Sequence, residues 1–161
     1  MKSLINFPKF PADSFSSKYV GIEYIDCGRD LGGFDCWGLN WWVYKDDFGV
    51  SVLDNLVGFR PDMSDAEFVK HSTRLIRDQS LDWTEVKIPV RGATALIRKN
   101  GQPVHVGICT GGGFRGRGDI LHADHGVGSV VLEPVDRLSD LIQGYYVPPG
   151  LTVRADIMGA K

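Results

Sequence analysis

The chain of 161 residues carries a cysteine directly after an acidic residue, in the stretch GGFDCWGLNWW. Asp35 is a favourable N-cap, so the pattern predicts a helix from Cys36 to about Phe48 that ends at Gly49. A cysteine in the first turn lies beside unpaired backbone N–H groups and the positive end of the helix dipole, which both favour the thiolate. Cysteine is also among the most often buried residue types, so two interpretations of Cys36 remain open, a nucleophile and a packed core side chain.

A nucleophilic cysteine needs a base, and the sequence has four histidines. His71 falls in a polar helical stretch, and we expect it at the surface. His105 lies inside the apolar run PVHVGIC, where an imidazole is costly without polar partners, and strand alternation places it opposite the aliphatic residues. If this run pairs as a hairpin with ILHAD, His122 approaches His105 as a cross-strand or diagonal neighbour. A third group that orients the imidazole would then be present.

Two further motifs have weaker chemical interpretations. His125 completes the sequence HADH, which together with His105 could form a metal site, but the spacing matches no zinc pattern and no acidic cluster completes it. We therefore predict no metal and no other cofactor, and we expect His125 to be solvated in a turn. The glycine-rich GGGFRGRG lies between two predicted strands, so it lacks the helix N-terminus of a phosphate-binding loop. Its arginines would meet a substrate carboxylate only if the loop overhangs the cleft.

The elements that must position these residues come in the order helices first, strands second. A short helix is predicted from Asp13 or Ser14 to about Tyr19, and the capping box SDAE at 64–67 predicts another to about Gln79. From Val86 onward, short β-branched runs between turn residues predict an antiparallel sheet. The predicted strands are VKIPV, ATALIR, VHVGICT, ILHAD and VVLEPV, and a short helix DRLSDLIQ precedes a final YYV strand. This order indicates an α+β fold.

Composition limits the class of protein. The chain is 43% hydrophobic and 24% charged, which is ordinary for a folded domain, and a net charge of −2 argues against nucleic acid as a partner. We expect one domain over 1–161, with an extended arm at 1–12 and a tail at 150–161. No apolar run reaches transmembrane length, and we expect no secretory signal and no membrane insertion. The three cysteines are expected as free thiols.

Taken in order, the motifs resemble the NlpC-type papain-like cysteine peptidases, which cut the stem peptides of peptidoglycan. They are YVGIEY...GRDLGGFDCWGL, HVGI, ILHA and GVGSVVLEP, and they span about residues 19–148. The Cys-Trp-Gly-Leu form, VVLEPV and the closing GYYVP look most like members encoded by tailed bacteriophages and related gene transfer particles, where they accompany tail-tip proteins. The resemblance implies a papain-like fold in which N-terminal helices pack on a C-terminal antiparallel sheet.

The resemblance also implies roles for five residues. Cys36 would be the nucleophile, with its backbone N–H as an oxyanion donor, His105 the general base and acid, and His122 the orienting residue. Tyr24 matches the tyrosine before the glycine-rich loop, which helps to shape the substrate and oxyanion sites. Asp35 matches the acid before the cysteine and would serve as cap and substrate contact.

The function implied is a peptidoglycan-hydrolysing cysteine endopeptidase of a phage tail tip, with the stem peptide as substrate and tail-tip or hub proteins as partners. It would be assembled in the host cytoplasm and carried on the virion. Two alternatives remain open: a catalytically silent structural component of the tail tip, and an amidase or acyltransferase on the same scaffold. The chain departs from the family pattern at Cys27, where glycine is usual, at GATALI, and in the long interval between His105 and His122.

Overall fold

A computed structural model describes residues 15–52, 83–99, 102–111 and 118–151, together with the isolated positions 67, 70 and 74. A single 3-10 turn, Phe15–Lys18, comes first. The strands are β1 (Arg29–Asp30), β2 (Gly33–Phe34), β3 (Thr84–Val86), β4 (Thr94–Lys99), β5 (Gln102–Cys109), β6 (Asp119–Asp124), β7 (Ser129–Pro134) and β8 (Ile142–Val147), and the helices with described bounds are α1 (Cys36–Asp47) and α2 (Val135–Leu138).

The last six strands form one antiparallel sheet in the order β3-β8-β4-β5-β6-β7, and β1 and β2 form a separate two-stranded hairpin. β4 to β7 are sequential neighbours, whereas β8 returns to lie between β3 and β4. Because α1 precedes this sheet, the predicted α+β order of helices and strands is confirmed. Among the described residues, no helix has the length and apolar character needed to cross a membrane.

Helix α1 is buried because apolar residues occupy most of its sides, as the sequence pattern predicts. Leu39, Val43 and Tyr44 are fully buried and belong to a core that includes Ile108 of β5 and Leu121 of β6. The sheet face toward α1 therefore contributes apolar side chains to the core that buries the helix. A second core lies on the other side of the sheet; its members include Ala95, Ile97, Cys109, Ile120, Val135 and Val147.

Buried polar groups fix the position of α1 along the sheet. The Tyr44 hydroxyl donates to the Gly92 carbonyl at 2.7 Å. The Asn40 amide donates to Thr94 Oγ1 at 3.1 Å and to the Gly107 carbonyl at 3.3 Å. Since buried polar groups are costly without partners, a shift of α1 along its axis would break these bonds.

The first turn of α1 also touches the backbone of the preceding loop. A Cβ at Gly38 would lie 1.9 Å from the carbonyl oxygen of Gly28, closer than any two such atoms can come. Only glycine permits this approach, which holds the loop before β1 against the head of the helix. At the other end, Gly49 follows α1 with φ of +62°, a left-handed conformation that suits glycine.

Several predicted elements differ in extent from those observed. The first helix is only the 3-10 turn, and its predicted caps lie outside the described residues. The stretch GRDLGGF, predicted as a loop, forms the β1–β2 hairpin. The strand predicted over VKIPV is observed as Thr84–Val86, so only Val86 of the predicted run lies in it. The helix predicted over DRLSDLIQ ends at Leu138, and Ile142 already belongs to β8, where it pairs with β4.

Other predictions lie outside what the structure describes. Of the helix predicted from the capping box, only Glu67, Lys70 and Arg74 are described, and all three are helical and exposed. His71, residues 112–117 of the glycine-rich loop, the arm at 1–12 and most of the tail at 150–161 are not described. The single-domain boundary stays a prediction.

We predict that Gly38→Ala destabilises the fold despite the helix propensity of alanine. Alanine gains about 1 kcal/mol over glycine in a helix interior, whereas forcing an atom into closely packed backbone costs about 1–3 kcal/mol or more. The clash should win, and the urea midpoint of unfolding should fall. Asp46→Ala, on the exposed side of α1, is the matched control and should change the midpoint little. An unchanged or higher midpoint for Gly38→Ala would refute this packing of the loop against α1.

Candidate active site

The head of α1 is capped as the sequence predicts. Asp35 has extended backbone dihedrals, and its Oδ1 accepts from the N–H of Gly38 at 2.7 Å. The same oxygen pairs with Arg29 at 2.6 Å, and the Asp35 side chain is almost entirely buried. Burial raises the pKa of this carboxyl, while Arg29 and the Gly38 N–H oppose the rise. Arg29 and Asp35 thus tie the β1–β2 hairpin to the start of the helix.

Cys36 contacts the sheet where the pairing of β5 with β6 stops. The ladder between these strands pairs Ile108 with Leu121 and Cys109 with Ile120. The ladder does not continue to Val106 and Ala123, and we call this unpaired stretch the β5–β6 opening. Cys36 packs with Val106 in a small cluster completed by Trp37 and Leu96.

The direction of the backbone N–H groups of β5 explains which group contacts the Cys36 thiol. Thr110 donates its N–H to Asp119 at the start of β6, at 2.9 Å. Because alternate residues of a strand direct their N–H groups to the same side, Val106 turns its N–H toward β6 as well. The pairing has ended there, and the Val106 N–H interacts with the Cys36 thiol instead. The thiol therefore lies at the residue that follows His105.

Protonation of the thiol differs from the sequence prediction. Helix-head position predicts a lowered pKa, but burial and the Asp35 carboxyl raise the pKa of Cys36 to about 12. The N–H groups of Val106 and Trp37 and the charge of Arg29 lower it, but by less. Cys36 is only 6% exposed, so a thiolate there would be poorly hydrated. This cost outweighs the stabilisation of the thiolate by the N–H groups and the dipole at the helix start. In this conformation the thiol is neutral at neutral pH, so the predicted activation of the resting thiol is wrong.

The two histidines meet as predicted. His105 Nε2 lies 2.8 Å from His122 Nδ1, and the rings are nearly perpendicular. Both side chains are buried, and burial is the main cause that lowers the pKa of each; for His105, with a further contribution from His122, it falls to about 3. Both imidazoles are therefore neutral at neutral pH, and each can act as a proton acceptor.

One residue of this cluster was missed by the sequence analysis. Glu133 of β7 places Oε1 3.0 Å from His122 Nε2, and its side chain is 26% exposed. β6 and β7 pair in register, with Ile120 opposite Glu133 and Val131 opposite His122, so Glu133 is a diagonal neighbour of His122. Alternation in VVLEP places Glu133 on one face with Val131, but the register that brings it to His122 is not visible in the sequence.

The Cys36 thiol meets the backbone of the residue after His105 but is not bonded to the imidazole. By alternation, His105 shares its β5 face with Cys109, whereas Val106 faces Cys36. Within the described residues, no hydrogen bond joins Cys36 to His105 or His122, and Nδ1 of His105 has no hydrogen-bond partner. Catalytic hydrogen bonds are often long in a free enzyme and tighten when substrate binds. Nδ1 is thus the ring nitrogen of His105 that remains available as a proton acceptor.

Tyr24 contacts both the residues just before α1 and the turn that follows β6. It bridges to Phe34, two residues before Cys36, and its N–H donates to Gly128 at 2.9 Å. Its ring meets the ring of His125 edge to face, with centroids 5.2 Å apart. Tyr24 is half-buried and His125 is exposed, so His125 is solvated as predicted.

A different group from the one considered in the sequence could hold a metal ion. Among the described residues, His122, Asp124 and Glu133 offer ligand atoms within 4.8 Å of one another. All three side chains already have protein partners, because Glu133 bonds His122 and Asp124 Oδ1 accepts from the N–H groups of the following turn. His105 and His125, the histidines considered with HADH, are not in this group.

The fold is similar to that of a known enzyme domain. It matches the crystal structure of the NlpC/p60 domain of the peptidoglycan hydrolase SagA with a TM-score of 0.51 and 23% sequence identity, covering 82% of this chain and 91% of that one. No protein-family model and no curated protein sequence matches the chain. The chain therefore has the α+β, papain-like NlpC/p60 fold, which confirms the predicted fold.

We predict that Asp35→Asn lowers the pKa of Cys36. Asparagine keeps an N-cap acceptor but removes the negative charge that raises the thiol pKa, while Arg29 continues to lower it. Iodoacetamide should then alkylate Cys36 faster at neutral pH, as followed by mass spectrometry of the Cys36 peptide. Asp30→Asn, on the exposed side of the same hairpin, is the control for a general loss of negative charge. A slower or unchanged reaction at Cys36 in Asp35→Asn would contradict the assigned effect of Asp35.

Proposed function

We propose that this chain is a peptidoglycan-hydrolysing cysteine endopeptidase that cleaves amide bonds of the stem peptide. The observation that carries the proposal is the bonded pair of His105 and His122, with His105 one residue before the Val106 N–H that meets the Cys36 thiol. A nucleophile at a helix start, a neutral imidazole and a group that orients it are the parts that cysteine hydrolysis requires. The NlpC/p60 fold and the motifs that resemble NlpC-type peptidases support the same class.

The proposed reaction has two steps. Sγ of Cys36 attacks the peptide carbonyl as its proton moves to Nδ1 of His105, and the backbone N–H groups at the head of α1 stabilise the oxyanion. His105 then donates this proton to the leaving amine, the C–N bond breaks, and a thioester remains. A water gives a proton to His105 and attacks the thioester, which releases the carboxylic acid and returns the proton to the thiolate. Tyr24 and Asp35 are proposed to shape the substrate and oxyanion side of the cleft.

The finer parts of the proposal concern substrate and location. The similar domain belongs to a protein described as a peptidoglycan hydrolase, which supports peptidoglycan as the substrate class. The form of the cysteine motif and the closing GYYVP support a place at a phage tail tip, with tail-tip or hub proteins as partners and the virion as location. On such a particle, the enzyme would open the cell wall during entry.

A second function is favoured by the state of the thiol. Cys36 is neutral, buried and not bonded to His105, as in a domain that keeps the fold without the chemistry. Fold alone does not establish activity, so the chain would then be a structural component of the tail tip. Hydrolysis of the cell wall by the isolated protein separates the two functions.

We expect Cys36→Ala to abolish the release of soluble fragments from purified sacculi, because alanine removes the proposed nucleophile. Cys109→Ala is the matched control, since Cys109 is equally buried but lies in the second core, away from α1. It should retain activity. Both variants should unfold cooperatively, which excludes misfolding as the cause. Wild-type activity in Cys36→Ala would rule out the cysteine mechanism.

The fragments identify the bond. An endopeptidase leaves the lactyl–peptide bond of the amino sugar intact and produces new amino and carboxyl ends inside the stem peptide. Mass spectrometry of digested sacculi should show such cut peptides. Fragments that carry a freed lactyl group would instead assign the chain as an amidase, and peptide transfer to an added amine without hydrolysis would assign it as an acyltransferase.

A further inference from the structure

We propose that Glu133 is a positioning residue that sets the proton arrangement of the two histidines and so makes Nδ1 of His105 the base. This assignment deepens the proposed function and rests on it for its role in hydrolysis. Glu133 does not touch the thiol or the proposed substrate carbonyl; it acts through His122.

The three groups form a row across one face of three adjacent strands. His105 lies on β5, His122 on β6 and Glu133 on β7, and each is joined to the next by one short contact, of 2.8 Å and 3.0 Å. Gly107 makes room for this row, because a Cβ there would lie 3.1 Å from Cβ of His122 and 2.4 Å from a methyl group of Ile120. The row therefore depends on strand register and on a missing side chain.

Hydrogen-bond chemistry fixes the protons along the row. An ionised carboxylate only accepts, so His122 must carry its proton on Nε2, which faces Glu133. Neutral His122 then presents an unprotonated Nδ1, and His105 must donate from Nε2 to meet it at 2.8 Å. A neutral His105 that is protonated on Nε2 has a lone pair on Nδ1. Without Glu133 the opposite arrangement becomes available, in which His105 carries its proton on Nδ1. His105 then has no lone pair on Nδ1 with which to accept the thiol proton.

Charge supports the same assignment. Glu133 raises the pKa of His122, against the burial that lowers it, and so favours positive charge in the row. When His105 takes the thiol proton, the imidazolium is stabilised through His122 by this carboxylate. Among the described residues, the other groups that act on the two histidines are Lys99 from β4 and Asp124 from β6. Within the described part of the chain, Glu133 alone combines a negative charge with a hydrogen bond to the row.

The proton arrangement can be read directly by long-range ¹H–¹⁵N NMR of the full chain with labelled histidine, at neutral pH. We expect His105 and His122 both protonated on Nε2, with Nδ1 of His105 unprotonated. A wild-type His105 that carries its proton on Nδ1 would overturn the proposal, whatever the activity of the protein.

The functional consequence is tested with Glu133→Gln, which keeps the size and an acceptor oxygen but loses the charge. We expect the rate of iodoacetamide alkylation of Cys36 at neutral pH to fall about tenfold or more, the usual range for losing a group that orients a catalytic side chain. A purely structural hydrogen bond would be kept by glutamine and would leave the rate unchanged. Asp124→Asn is the matched control: it removes a nearby charge but keeps an acceptor for the turn, and should stay within about twofold.

Equal rates for wild type and Glu133→Gln, or an equal loss in both variants, would refute the specific role of Glu133. Unfolding midpoints exclude misfolding. Because alkylation needs no peptidoglycan, a wild-type chain that fails to cut sacculi but shows the expected NMR pattern and the expected loss would refute the proposed function and leave the role of Glu133 standing.

Discussion

The end of the pairing between β5 and β6 is the constraint on which the rest of the structure depends. A strand interior without a partner strand leaves backbone groups that need other partners. The head of α1 supplies a partner for one of them, because the Cys36 thiol meets the Val106 N–H. The same opening that requires the helix therefore brings its first residue to β5, one residue from His105. Packing and the candidate chemistry have a common structural cause.

Burial and activation act in opposite directions on Cys36. The helix head and Arg29 favour the thiolate, but removal of water and the Asp35 carboxyl outweigh them, so the thiol is neutral at rest. Burial likewise keeps His105 neutral. A neutral thiol beside a neutral imidazole points to transfer of the proton during attack rather than to a stored thiolate–imidazolium pair. A site of this kind would protect the thiol from oxidation until a substrate reaches it.

Local chemistry in the sequence predicted the parts of the site that lie close together along the chain. Asp35 as a cap and Cys36 at the helix start follow from residue types, and the approach of His122 to His105 follows from alternation in two neighbouring strands. Glu133 could not be found in this way, because it depends on the register between β6 and β7. The raised pKa of Cys36 could not be found either, since it reflects how much of the surrounding protein excludes water.

The same distinction holds for the fold. Periodicity and caps predict the α+β order, the antiparallel strands and the buried α1. They do not predict that β8 lies between β3 and β4, because this pairing is long-range. The pairing extends β8 back to Ile142 and so shortens the helix predicted before it. Gly38 illustrates a further limit, since its contact with Gly28 is a three-dimensional packing requirement.

The central claim is that the thiol proton passes to Nδ1 of His105, while Nε2 of His105 keeps its hydrogen bond to Nδ1 of His122. A crystal structure of the chain with a stem-peptide aldehyde bound at Cys36 tests this most directly. We predict a covalent bond from Sγ to the aldehyde carbon, Nδ1 of His105 within hydrogen-bond reach of the adduct, and the contact between the histidines preserved. An adduct whose atoms lie beyond the reach of His105, or an aldehyde that binds without forming the bond, would contradict it.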